Sequence, residues 1–234
     1  MDMIGIRQTQ DPPANTLLTG ISAFIGIAAC LGDLFLTYLL GTWRPGFRQS
    51  FQPMSDLGHT GSPVAAIAST WWVIMGLMFI IFGYGFHKAF SNHGKAAKAA
   101  AWMLALYGIG EGLGSGLVAS TPGNSFQTPS SIIHNLLGGV GVAAAFLLPF
   151  IIMKIFGARR SPALYWYSWF TTVTGMPFFV LFSIATFYHP EGSWISYLGL
   201  WQRLFMLIYY MFFICLAVLM LSAKKPFGTA SSEC

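Results

Sequence analysis

Charge is what this chain has least of. Only 8% of its 234 residues are Asp, Glu, Lys or Arg, against about a quarter in soluble domains, while 55% are hydrophobic. With a mean hydropathy of +0.64, that deficit excludes a soluble enzyme. The net charge of +5 does not signal nucleic acid either, because the basic residues sit in short loops at the ends of apolar runs, where membrane orientation accounts for them. Cysteine is equally scarce. Cys30 and Cys215 lie inside apolar runs and Cys234 is the last residue, which leaves no disulfide framework and no metal knuckle. The ending Ser-Ser-Glu-Cys places its cysteine too late for a prenylation box. No His-x-x-x-His or His-Glu-x-x-His occurs, and Gly108-x-Gly-x-Gly follows no strand, so it is no dinucleotide fingerprint. Linkers long enough for a second domain are missing as well.

Six apolar stretches remain, each of about the 20 residues a spanning helix needs: roughly 16–40, 63–86, 99–120, 131–156, 163–187 and 196–222. They predict an all-α, polytopic bundle of six transmembrane helices, with tails at 1–15 and 223–234. Ile27-Ala-Ala-Cys30 looks superficially like a lipoprotein cleavage site, but Leu-Gly-Asp-Leu-Phe-Leu follows at once, so the segment is expected to stay as a span. Lys88, Lys95 and Lys98, then Arg159 and Arg160, then Lys224 and Lys225 follow the second, fourth and sixth spans. By the positive-inside rule both termini are cytoplasmic. Arg44 and Arg48 run against that pattern. The loops at 41–62, 121–130 and 188–195 then face outward with Asp56, His59, Asn124, His189 and Glu191, and Trp43, Trp194 and Trp201 lie near that boundary as interfacial anchors.

The stretch Gly108-Ile-Gly-Glu-Gly-Leu-Gly-Ser-Gly116 stands out, since Glu111 is a carboxylate among five glycines inside a span. A charge in hydrocarbon needs a partner or a purpose. At about 1.5 Å of rise per residue, Asp33, Glu111 and Arg203 fall at about the same depth below the outer ends of their spans. An arginine fork suits two carboxylates, so these three are expected to form a buried cluster, with His134 and Asn135 at its rim. The glycines, with Gly138, Gly139 and Gly141, read as surfaces for close helix packing. Gly175-Met-Pro177 is expected to break the fifth span. Met206 and Tyr210 continue the Arg203 face toward the interior.

Ser55-Asp-Leu-Gly58 before a Pro-Val-Ala-started span, the glycine-rich third span followed by His134-Asn135, and Gly199-Leu-Trp-Gln-Arg-Leu-Phe205 resemble the uncharacterised prokaryotic membrane proteins grouped as domain-of-unknown-function family 998. The resemblance covers about 16–222. It implies a six-helix bundle in a prokaryotic cytoplasmic membrane and marks Ser55, Asp56, Gly58, His134, Gly199 and Arg203. Asp56 stands where that family usually has Glu, and the turn Thr121-Pro-Gly-Asn124 lacks the cysteine associated with many members.

Three functions compete. The first is an intramembrane enzyme acting on membrane lipid or a small apolar ligand, with Glu111, His134 and Asp33 as catalytic candidates and Arg203, Gln202, Asn135, Ser55 and Asp56 as substrate-binding ones. A divalent metal held by His59, His134 and His189 is its cofactor variant. Haem is disfavoured because only His134 lies inside a span. The second is a ligand-binding or proton-coupled transport module, and the third a buried ion network that only sets helix register. Oligomeric state is not legible.

Overall fold

The computed structural model describes residues 16–121, 128–188 and 192–222. Both expected tails, Asn124, His189 and Glu191 lie outside the described residues. Within them, all regular structure is helical. Helix α1 runs over Thr16–Trp43, α2 over Ala65–Ala89, α4 over Pro129–Arg160, α5 over Pro162–Tyr188 and α6 over Leu198–Ser222. These five are long and apolar enough to cross a membrane. The stretch expected as a plain third span is composite. This element, α3, is an α-helix over Gly94–Tyr107, a π-helix over Gly108–Gly114, and a last α turn over Ser115–Leu117. Each helix packs on the next in sequence and α6 closes on α1, so the elements form an up-and-down ring.

Apolar side chains are as well solvated by lipid tails as by one another, so close backbone packing and interhelical hydrogen bonds must hold such a ring together. The glycines of α3 supply the first. Gly108, Gly112 and Gly116 face α2: a Cβ at Gly108 would lie 2.5 Å from the Gly76 carbonyl oxygen, one at Gly116 2.7 Å from that of Ser69, and one at Gly112 would run into the Gly76 backbone. Gly110 and Gly114 face α4, where a side chain would strike the Leu137 carbonyl and the Leu137 Cβ. The helix is thus sandwiched with its backbone against both neighbours. The five-residue hydrogen-bond step of the π segment widens it there, a distortion that recurs at functional sites, and Glu111 sits in the middle of that segment.

One half of the ring is filled with aromatic rings. Phe79 of α2 contacts Phe82, Tyr107, Tyr210 and Phe213, all fully or almost fully buried. The expected break in α5 does not occur: the chain stays helical through Pro177, Gly175 lies against the Tyr209 ring, and Thr171, Thr172 and Thr174 return their hydroxyl protons to carbonyls four residues earlier. Those local bonds satisfy hydroxyls that would otherwise be free to disturb the helix.

Gly112→Leu is expected to destabilise the fold by about 2 kcal/mol or more, since overpacking commonly costs 1–3 kcal/mol and here the obstacle is backbone. Gly139→Ala, into open space, is the control. Thermal unfolding in detergent checks the pair: a lower midpoint for the first and little change for the second.

Candidate functional site

At the end of the ring where α1 runs into the 44–64 segment and α4 begins, the aromatic filling gives way to a cavity of about 180 Å³. Its walls are mostly apolar. Six of the polar side chains on them were singled out by sequence: Asp33, Ser55, Glu111, His134, Asn135 and Gln202. Arg203 and Asp56 are not on the wall.

Asp33 is fully buried and held by neutral donors. Trp71 Nε1 donates to its Oδ1 at 3.0 Å and the Tyr210 hydroxyl to its Oδ2 at 2.8 Å, while Tyr107 in turn donates to Tyr210 at 3.0 Å. Two aromatic donors from α2 and α6 therefore fix a carboxyl from α1 and pin three helices together. Glu111 differs. It projects from the π segment beside α4, where a Cβ on Gly138 would come within 3.3 Å of its Oε1, and no hydrogen bond to its carboxyl is formed among the described residues.

Helix α4 begins where local chemistry starts it. Pro129 is its first residue, and the Thr128 hydroxyl accepts from the Ser131 backbone N–H at 3.3 Å, a cap that satisfies an otherwise orphaned donor. One turn later His134 Nδ1 donates to the Val118 carbonyl at 2.8 Å, closing the end of α3. That bond assigns the neutral tautomer whose Nε2 is an acceptor, on a ring that lines the cavity. The Asn135 amide nitrogen is buried without a partner among the described residues.

The expected Asp33, Glu111 and Arg203 cluster does not form. Helix α1 continues to Trp43 rather than ending near 40, which puts Asp33 about 15 Å below its end, whereas α6 starts only at Leu198, which leaves Arg203 about 7.5 Å down. Arg203 instead clamps the loop before α2. Its Nη1 donates to the carbonyls of Gln49 at 2.5 Å, Gln52 at 3.2 Å and Gly199 at 2.9 Å, and its Nη2 to Gln49 Oε1 at 2.6 Å. Gln202 Oε1 accepts from the Met54 N–H at 2.6 Å, and the Leu200 N–H donates to Ser50 at 2.9 Å. Gly199 is needed here, because any side chain would collide with the Gln49 and Gln52 carbonyls. The same loop absorbs the other arginines that ran against the charge pattern: Arg44 donates to the Asp56 carbonyl at 2.6 Å and to His59 Nε2 at 2.9 Å, and Arg48 covers the Phe51 ring at 4.5 Å.

His59 is one of the three metal candidates and lies in the 44–64 segment. It is buried, and with Nδ1 donating to the Thr60 carbonyl at 2.6 Å both its nitrogens are engaged. Among the described residues, no three His, Cys, Asp or Glu side chains converge as a metal requires, so His134 has no co-ligands there. Trp71, Tyr210, Tyr107 and the wall aromatics Trp72, Phe179 and Phe182 were not picked out as site residues. The interior spacing of Tyr210 was visible, but nothing in the sequence indicated that its partner is Asp33.

The fold and this cavity define an integral membrane protein built as a helical ring around a partly polar internal site. The family described as "Protein of unknown function (DUF998)" matches residues 27–219, and the chain belongs to that family. No curated protein and no solved structure matches it.

Arg203→Met, which removes four hydrogen bonds from a charged donor, is expected to cost about 2–3 kcal/mol and to speed amide hydrogen exchange over Gln49–Met54. Arg203→Lys should restore little, because an ammonium cannot span the same fork of acceptors. Unchanged exchange in Arg203→Met would show that the clamp carries no stability.

Proposed function

We propose that this protein crosses a prokaryotic cytoplasmic membrane six times, with both termini inside, and carries out acid–base chemistry on a lipid or small, mostly apolar molecule drawn into the cavity from the outer half of the bilayer. The observation that carries this reading is Glu111. A carboxyl placed on a distorted helix, inside a membrane-embedded cavity and without a hydrogen-bond partner among the described residues, is costly to keep for packing alone. His134 Nε2 on the same wall is a second proton acceptor, and general acid–base work needs two such groups within reach of one substrate. Asp33, already committed to Tyr210 and Trp71, orients rather than reacts. Ser55, Gln202 and Asn135 supply neutral polar contacts on the wall. Arg203 is committed to the Gln49, Gln52 and Gly199 carbonyls and to Gln49 Oε1 rather than to either carboxyl, so a register-setting ion network of those three is not what supports their presence.

A second reading has its own observation. Tyr107, Tyr210 and Asp33 form a continuous hydrogen-bonded chain across α3, α6 and α1, of the kind that proton-coupled binding modules use.

Incubating the protein in lipid nanodiscs with a total membrane-lipid extract, and following the extract by mass spectrometry, tests the catalytic reading. Wild type should deplete one lipid or small-molecule class, and Glu111→Gln should lower that rate at least 100-fold while keeping its melting temperature. Equal profiles for wild type and variant would overturn it. For the topology, an impermeant thiol reagent should reach Cys234 only after cells are opened, and should reach an engineered Thr60→Cys in intact cells. The reverse pattern would invert the protein.

A further inference from the structure

Among the described residues, the cavity wall carries acidic side chains without a matching lysine or arginine. Asp33 and Glu111 are on it, whereas no Lys or Arg is among its described residues, and Arg203, expected from sequence to join them, is committed to the Gln49, Gln52 and Gly199 carbonyls. Asp33 is satisfied by two neutral donors, with no cationic donor among them, and no hydrogen bond to Glu111 is formed among the described residues. Five aromatic side chains share that wall: Trp72, Phe179, Phe182, Phe187 and Phe205. Ring faces are negative and attract cations, best where water is excluded.

We propose that the ligand of this cavity is an organic cation, a protonated or quaternary ammonium with a short apolar body, whose charge lies at Glu111 and whose alkyl groups lie against the aromatic wall. This rests on the cavity's being a ligand site, as argued above, and narrows what it takes. Complementary chemistry excludes the other cations. A metal ion of the borderline kind is held by several imidazole, thiolate or carboxylate ligands, and no three His, Cys, Asp or Glu side chains converge among the described residues. An alkylated ammonium needs one acidic group and several aromatic rings, and side chains of both kinds are on the wall. The volume agrees, since about 180 Å³ is room for roughly six waters at about 30 Å³ each, the scale of a small ammonium compound rather than a whole phospholipid. The unpartnered Asn135 amide and the Gln202 and Ser55 side chains on the wall suit a hydroxyl or ester oxygen on the same molecule.

The test compares choline with its neutral carbon isostere 3,3-dimethylbutan-1-ol, the same shape without the charge, by calorimetric titration into the protein in nanodiscs made from uncharged and anionic phosphatidylglycerol-type lipids free of choline headgroups. Wild type should bind choline at least tenfold more tightly than the isostere. Glu111→Gln should abolish the preference while retaining comparable affinity for the isostere. Because the preference of wild type alone decides the ligand class, a poorly folding Glu111→Gln leaves the test intact, and Glu111→Asp, expected to retain part of the preference, then reports on the residue. Equal binding of both compounds removes the cation and leaves the cavity as a ligand site. Binding of neither by wild type also overturns the proposal, while the lipid-extract incubation separately decides the acid–base reading.

Discussion

Backbone contact between α2, α3 and α4 is the constraint from which the interior follows. In lipid there is little to gain from moving a leucine out of one apolar environment into another, so helices associate where their surfaces are small and their polar groups find each other. Gly108, Gly112 and Gly116 on one side, and Gly110 and Gly114 on the other, let α3 approach both neighbours closely. A helix thinned on both sides keeps one direction in which a side chain fits, and there Glu111 projects next to Gly138 and Gly141 of α4. The π segment is the geometric consequence of holding that carboxyl against the wall while its flanking glycines stay in register with Gly76 and Leu137.

The polar groups then divide by depth. Near the loop end of the ring, Arg203, Gln202 and Gly199 grip the backbone of the 49–54 segment, and Arg44 and His59 brace the same loop from its other side. Lower down, Asp33 is held by Trp71 and Tyr210. The cavity runs across both levels, with Gln202 and Asp33 on its wall. The loop clamp roofs the site without supplying it with positive charge. An arginine paired with the carboxyls would have made the cavity a closed ion network; one spent on carbonyls leaves those carboxyls without a basic partner among the described residues.

Much of this was legible beforehand, for reasons that concern length and polarity. Six apolar runs separated by Gly, Pro and Asn determine the helices to within a few residues, because bilayer thickness sets the run length. Glu111 and His134 were conspicuous because ionisable side chains are rare in spans, and the glycines because five in nine residues serve nothing but close approach. Pairing was not legible. Depth counted from run boundaries puts Asp33 and Arg203 level, and an error of three residues at the end of α1 with two at the start of α6 was enough to separate them. Nor does hydropathy distinguish the Gly94–Leu117 element, whose π segment arises from packing against α2 and α4. Pro177 misled in the opposite direction: a proline in a span can be accommodated by its neighbours, and α5 continues through it.

The central claim is that Glu111 is an unpaired carboxyl facing an apolar-lined cavity. Apolar carbodiimides reach carboxyl groups from the membrane phase, so treating the protein in nanodiscs and locating the adduct by peptide mass spectrometry measures that state directly. Modification should fall on Glu111 ahead of Asp33, whose oxygens are both occupied, and added choline should protect it. Glu111 left unmodified while Asp33 or loop carboxyls react would contradict the account, for it would mean that the Glu111 carboxyl is paired or sealed from the cavity.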